Sequence, residues 1–264
     1  MNDLDPFEVL DRPEIHSILF YPRKAPGVPD DEKDLFFEVD EGVSIGCRLY
    51  EAGNSCPTLL FFHGNGEIAT DYDDIAPLFI ERNINLLIAD YRGYGFSSGD
   101  PSIASLLKDA DSVFTQTKQW LIEHQHTGAL FVMGRSLGSL CAVEVAKNHQ
   151  QQFAGLIVES GSATNFRNFL HMYGLVPREH PVWEEGRGFF SKEKIRNVTI
   201  PTLIIHAAQD EIVPVTEGKA LYENSGAQSK KLVIIPGAGH NDLMYVGFEL
   251  YFKRLTEFIE ANKT

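Results

Sequence analysis

The sequence predicts an open α/β domain: an eight-stranded, mostly parallel sheet with helices on both faces and a short insertion above it. Two observations carry that expectation. Short apolar runs rich in Leu, Ile, Val and Phe recur along the chain, and they lack the polar alternation of half-exposed strands. Segments with helical periodicity lie between and after them, and such alternation requires parallel strands covered on both faces. With 43% hydrophobic residues over 264 positions, the chain can bury one sizeable core.

The elements follow in chain order. Residues 1–34 read as an N-terminal extension ahead of a domain at 35–264. The opening "MNDLDPFEVLDRPEIH" is acidic and has no apolar stretch, so it predicts neither a signal peptide nor a membrane anchor. "LFFEVD" (35–40) and "VSIGCRLYEAG" (43–53) flank the turn dipeptide Glu41-Gly42 and read as an antiparallel hairpin. Buried strands follow at "TLLFF" (58–62), "NLLIAD" (85–90), "ALFVM" (129–133), "GLIVES" (155–160), "TLIIH" (202–206) and "KLVIIP" (231–236). Ile103, Leu106, Ala110, Val113, Phe114 and Leu121 form one helical face, and Phe248, Phe252, Leu255 and Ile259 another at the C-terminus. Between Ala163 and Val198 no strand is predicted, although Phe166, Phe169, Leu170 and Tyr173 fit a helical face that Pro177 and Pro181 end. This interval, about 164–194, reads as a short lid whose crowded aromatics, Phe169 and Trp183 foremost, line a substrate pocket.

Charge narrows the partners. A net charge of −14 argues against nucleic acid and against anionic membrane surfaces. Cys47, Cys56 and Cys141 show no CxxC spacing, which suits free thiols in a reducing, cytoplasmic compartment. No apolar run reaches the roughly 20 residues of a transmembrane helix. HExxH and paired metal-ligand spacings are absent, so no metal is expected.

The chemistry concentrates in "GRSLG" (134–138). A serine between a buried strand and a helix must sit in a sharp turn, where side chains at the flanking glycines would collide. Such a turn lifts the hydroxyl out of the sheet at a helix N-terminus. A serine hydroxyl needs a base, and the base needs an orienting carboxylate. His240 in "GAGHND" and Asp210 in "HAAQDEIVP" each follow a predicted strand, on the same sheet edge as Ser136 and in the order Ser, Asp, His. Glu159 is the weaker alternative acid, and Glu211 is expected to point elsewhere. His206 lies within a strand and reads as a core histidine. The glycine-rich turn "HGNGE" (63–67) can direct a backbone N–H into the site, so Asn65 and Leu137 are assigned as backbone donors to an oxyanion. His63 is expected to bond within that turn. The glycines of "DYRGYGFSSG" (90–99) miss the dinucleotide spacing and read as a loop packed beneath the oxyanion turn.

Taken in order, "HGNGE", "DYRGYGFSSG", "GRSLG", "HAAQDEIVP" and "GAGHND" resemble the α/β-hydrolases, over roughly residues 35–260. The likeness is to the serine-esterase and lysophospholipase-like branch that includes the membrane-anchored protein depalmitoylases. The resemblance implies an α/β-hydrolase fold, catalytic Ser136, Asp210 and His240, and no cofactor. The expected activity is cleavage of small-molecule carboxylic esters or thioesters through an acyl-enzyme. The same machinery would serve an amide or peptide hydrolase of the serine aminopeptidase kind, with Glu179, Glu184 or Glu185 holding a substrate ammonium. A ligand receptor on a hydrolase fold is the non-enzymatic alternative. Dehalogenases and epoxide hydrolases on this fold use an aspartate nucleophile, and Ser136 argues against both.

Overall fold

The computed structural model describes residues 6–184 and 190–264. Eight strands form one sheet: β1 (Asp34–Asp40), β2 (Val43–Tyr50), β3 (Thr58–Phe62), β4 (Asn85–Ala89), β5 (Leu130–Arg135), β6 (Gly155–Glu159), β7 (Thr202–Ala207) and β8 (Lys230–Ile235). Their spatial order is β1-β2-β4-β3-β5-β6-β7-β8. Only β2 runs against its neighbours, pairing antiparallel with both β1 and β4, while β3 to β8 are parallel. The chain winds outward from β3 to β4, crosses back over β3 to β5, and then proceeds the other way. That reversal opens a crevice at the carboxyl ends of β3 and β5, where open α/β sheets place their ligands.

The helices are α1 (Pro6–Leu10), α2 (Pro13–Leu19), α3 (Ala76–Ile80), α4 (Ile103–Glu123), α5 (Gly138–His149), α6 (Asn165–Met172), α7 (Ser191–Lys194), α8 (Val215–Asn224), α9 (Leu243–Val246) and α10 (Phe248–Asn262). Successive strand residues face opposite layers. Leu60 and Phe62 of β3 join α4, α5 and α8 on one side, whereas Leu59 and Phe61 meet α3 and α10 on the other. The longest helix, α4, starts where Ser102 Oγ accepts the Ser105 N–H (3.0 Å) and Ser105 Oγ accepts the Ser102 N–H (2.9 Å). Such a cap stabilises by about 1 kcal/mol. No described helix is long and apolar enough to cross a membrane.

Three segments depart from the simplest reading of the sequence. β2 ends at Tyr50 rather than running on to Gly53, because the Ala52 and Gly53 N–H groups donate to Asn85 Oδ1 (2.7 and 3.0 Å) instead of to a ladder. The stretch ahead of β1 buries Leu10, Ile15, Leu19 and Phe20 in the main core. In the insertion, α6 matches the expected helical face, and Leu170, Val176 and Val182 pack down into the same core. Phe189 and Glu185 lie outside the described residues.

Candidate active site

The turn after β5 shows why serine is flanked by glycines. Ser136 takes φ 51°, in the left-handed region, and its N–H is held by the Glu159 carbonyl at 2.9 Å. A Cβ on Gly138 would lie 2.1 Å from the Phe62 carbonyl oxygen, and one on Gly134 would lie 2.2 Å from that of Gly138. Both contacts are with backbone, which cannot swing aside. The glycines thus let α5 start directly against the ends of β3 and β5, with Ser136 at its N-terminus.

Ser136, His240 and Asp210 meet across three loops. Ser136 Oγ lies 3.0 Å from His240 Nε2, while His240 Nδ1 lies 2.8 and 2.9 Å from the two Asp210 oxygens. Because Nδ1 faces a carboxylate it carries a proton, which leaves Nε2 as acceptor for the serine hydroxyl. His240 and Asp210 are buried. Burial opposes the charge on Asp210. The hydrogen bonds from His240 and from the Val213 N–H (2.7 Å) outweigh it and hold the carboxyl below its usual range.

The remaining acids and histidines fall into distinct places. Glu159 turns away from His240, accepting from Arg135 Nε (3.1 Å) and the Tyr251 hydroxyl (2.7 Å). Glu211 is exposed, yet its carboxylate accepts the His240 N–H at 3.3 Å and so holds that loop. His206 is fully buried beside Asp210, with Nε2 donating to the Val213 carbonyl (2.8 Å) and burial lowering its pKa. His63 bonds the Gly64 carbonyl through Nδ1 (2.8 Å) and Asp90 through Nε2 (3.1 Å), both acceptors. Burial works against its charge, but Asp90 prevails and raises the pKa. Tyr91 and Tyr94 of the loop after β4 donate to the His63 carbonyl and to Asn65 Oδ1, so this loop does pack against the glycine-rich turn.

Asn65 and Leu137 line one cavity of about 300 Å³ together with Ser136. Among the described residues, neither backbone N–H donates to a protein acceptor. The cavity's apolar lining includes Leu137, Leu140, Phe166, Phe169, Ile212 and Val213, and its polar lining includes Ser162, Asn165 and Asn241. No described lining residue is a carboxylate. Trp183 is not part of this wall. It is buried in the core, its indole N–H donating to the Pro177 carbonyl (3.0 Å) and its ring stacked on Phe190.

Arg135, beside the serine, is the functional candidate that motif reading passed over. Its largely buried guanidinium pairs with Glu67 of the glycine-rich turn and with Glu159, and donates to the His240 carbonyl (2.9 Å) and Asn241 Oδ1 (3.2 Å). Glu67 in turn accepts the Gly64 N–H (2.8 Å) and the Tyr72 hydroxyl (2.7 Å). Burial opposes the Arg135 charge, but the two carboxylates outweigh it and raise its pKa. One cation therefore ties the turn after β3, the end of β6 and the histidine loop together. The sequence signal was available: an arginine inside a buried turn must have acidic partners.

The profile of the family described as "Serine aminopeptidase, S33" matches residues 53–175 and 190–244. The chain is 30% identical to α/β hydrolase domain-containing protein 17B of Xenopus tropicalis, over 83% of this chain and 72% of that one. It is 29% identical to protein bem46 of Schizosaccharomyces pombe, over 80% and 70%. Among solved structures, the Pyrococcus furiosus esterase Pf2001 superposes with a TM-score of 0.71 at 18% identity, covering 91% of this chain and 98% of that one. Est1E of Butyrivibrio proteoclasticus with bound ferulic acid gives 0.70 at 21%, covering 86% and 98%.

Proposed function

The chain belongs to the serine aminopeptidase family of α/β hydrolases, and from that membership we propose that it is a serine hydrolase of small carboxylic esters or thioesters. Ser136 Oγ attacks the acyl carbonyl while His240 Nε2 takes its proton. Asp210 holds the imidazole in the required tautomer and offsets the charge it gains. The N–H groups of Asn65 and Leu137 receive the oxyanion, and losing one such donor costs about 3–4 kcal/mol of transition-state stabilisation. His240 then protonates the leaving alcohol or thiol, and the acyl-enzyme is released by water activated at the same nitrogen.

The lining of the cavity carries the choice of ester or thioester over peptide. Its walls are apolar where an acyl chain would lie, and an aminopeptidase would need a carboxylate there to hold the substrate ammonium. Glu179 and Glu184 are exposed, and neither lines the cavity; Glu185 lies outside the described residues. A fluorophosphonate probe should label the wild type and leave Ser136→Ala unlabelled, with hydrolysis abolished in the variant. Labelling that persists in Ser136→Ala would move the nucleophile elsewhere. In a panel sharing one acyl group, esters and thioesters should turn over faster than the amide. The reverse order would overturn the substrate assignment.

A further inference from the structure

The cavity beside Ser136 has two walls that come from outside the sheet. One is α6, through Phe166 and Phe169. The other is the chain leaving α2, through Leu19 and Tyr21, from the segment the sequence set apart as an extension. Leu19 is buried, whereas Tyr21 is 54% exposed at the cavity's rim.

This second wall is fixed with unusual thoroughness for a surface segment. The Tyr21 N–H is shared between Asn65 Oδ1 (3.1 Å) and the Tyr94 hydroxyl (2.8 Å), and Asn65 Nδ2 donates back to the Leu19 carbonyl (2.6 Å). Arg23 donates to the Gly66 carbonyl (2.7 Å) and pairs with Asp71, and Lys24 Nζ donates to the Ser97 carbonyl (2.7 Å). At its other end Arg12 donates to the Leu175 carbonyl of the insertion (2.9 Å), and Asp11 accepts the first N–H groups of α4. The segment is thus bolted to the turn that carries the Asn65 N–H and to the opposite wall. An exposed aromatic held this firmly by its own backbone has its position set by the fold rather than by its side chain.

We infer that residues 12–24 form a specificity wall in which Leu19 and Tyr21 limit the length of acyl chain the cavity accepts. The inference rests on the ester or thioester reading above. Each further CH₂ that finds room contributes about 0.8 kcal/mol, roughly fourfold. Truncating Tyr21 should therefore let two more methylenes bind and raise the octanoate-to-butyrate ratio of kcat/KM about fifteenfold.

The experiment measures p-nitrophenyl butyrate and octanoate hydrolysis for wild type, Leu19→Ala, Tyr21→Ala and Tyr21→Trp, each normalised to the fraction labelled by a fluorophosphonate. Both alanine variants should raise the octanoate-to-butyrate ratio. Tyr21→Trp, which narrows the rim, should lower it. Because Tyr21 is exposed, its variants fold even if Leu19→Ala does not. Labelled Tyr21 variants with the wild-type ratio would overturn the wall and leave the hydrolase reading intact. A wild type that the probe does not label would overturn both.

Discussion

Arg135→Met isolates what a buried cation contributes to this site. The Arg135 side chain is 11% exposed and stands between Glu67 and Glu159, at 23% and 3%. Removing one partner of a buried ion pair leaves uncompensated charge and costs about 3–5 kcal/mol. Unfolding entropy near the midpoint is about 2.1 cal/mol/K per residue. Over 264 residues that is about 0.55 kcal/mol per kelvin, so Tm should fall by about 5–9 °C. The pH dependence identifies the cause. Burial already holds the Glu159 carboxyl above its usual range, and Arg135, ahead of His63, Tyr72 and the Gly64 N–H, keeps Glu67 below its own. Without the cation both folded carboxyls shift upward, Glu159 still further above its unfolded value. Between the unfolded and folded values of Glu159 the folded state binds more protons than the unfolded state, so stability falls as pH rises. The Tm deficit should therefore be largest near pH 8 and shrink toward pH 5. Scanning calorimetry of both proteins across that range measures it. A deficit below about 1 kcal/mol, or one equal at the two ends, would refute the reasoning.

Further perturbations test other parts of the structure. Asp210→Asn should lower kcat by about 10⁴-fold through the wrong histidine tautomer, whereas Glu159→Gln should mainly lower Tm; exchanged outcomes would make Glu159 the orienting acid. Gly138→Ala should cost about 1–3 kcal/mol in urea unfolding, as overpacking does, because its Cβ meets the Phe62 carbonyl, and an unchanged midpoint would contradict that contact. Glu217→Ala removes a carboxylate that accepts the N–H groups of Ala163, Thr164 and Asn165, so limited proteolysis of the 163–184 stretch should accelerate; equal cleavage rates would show that Glu217 does not hold α6 in place. His63 has a pKa raised above 6.5, so its charge stabilises the fold at pH below that value and is lost as pH rises through the raised one. The wild-type Tm should therefore decline on the alkaline side, and a decline of the same slope in His63→Gln would assign it elsewhere.

The strands β3 to β7 were legible because each is a short apolar run with both faces buried, and β3 spans the very residues, Thr58–Phe62, that the pattern marks out. The residues of the hydrogen-bonded chain from Ser136 to Asp210 were legible because a glycine-bounded turn and two loops after strands leave few positions for those side chains. What sequence patterning could not deliver was anything decided by distant partners. The end of β2 depends on Asn85, which starts the neighbouring strand β4, thirty-odd positions along the chain. Trp183 counted among the insertion's aromatics, but nothing local says that its N–H finds Pro177 and its ring Phe190. Phe169 belongs to the same aromatic cluster, and it alone of the two reaches the cavity. Leu19 and Tyr21 carry no motif, and their place depends on Asn65, more than forty positions away.

The left-handed backbone of Ser136 makes stability and turnover competing targets for anyone engineering this chain. A residue with a Cβ in that conformation costs about 1–2 kcal/mol, and glycine escapes that cost while losing about 0.5–1 kcal/mol in backbone freedom on folding. Ser136→Gly should thus be at least as heat-resistant as the protein it inactivates. A library sorted on melting temperature alone will be drawn toward losing the very hydroxyl proposed to do the chemistry. Sorting on turnover after a heat challenge removes that pull, since only clones that keep the strained serine remain visible.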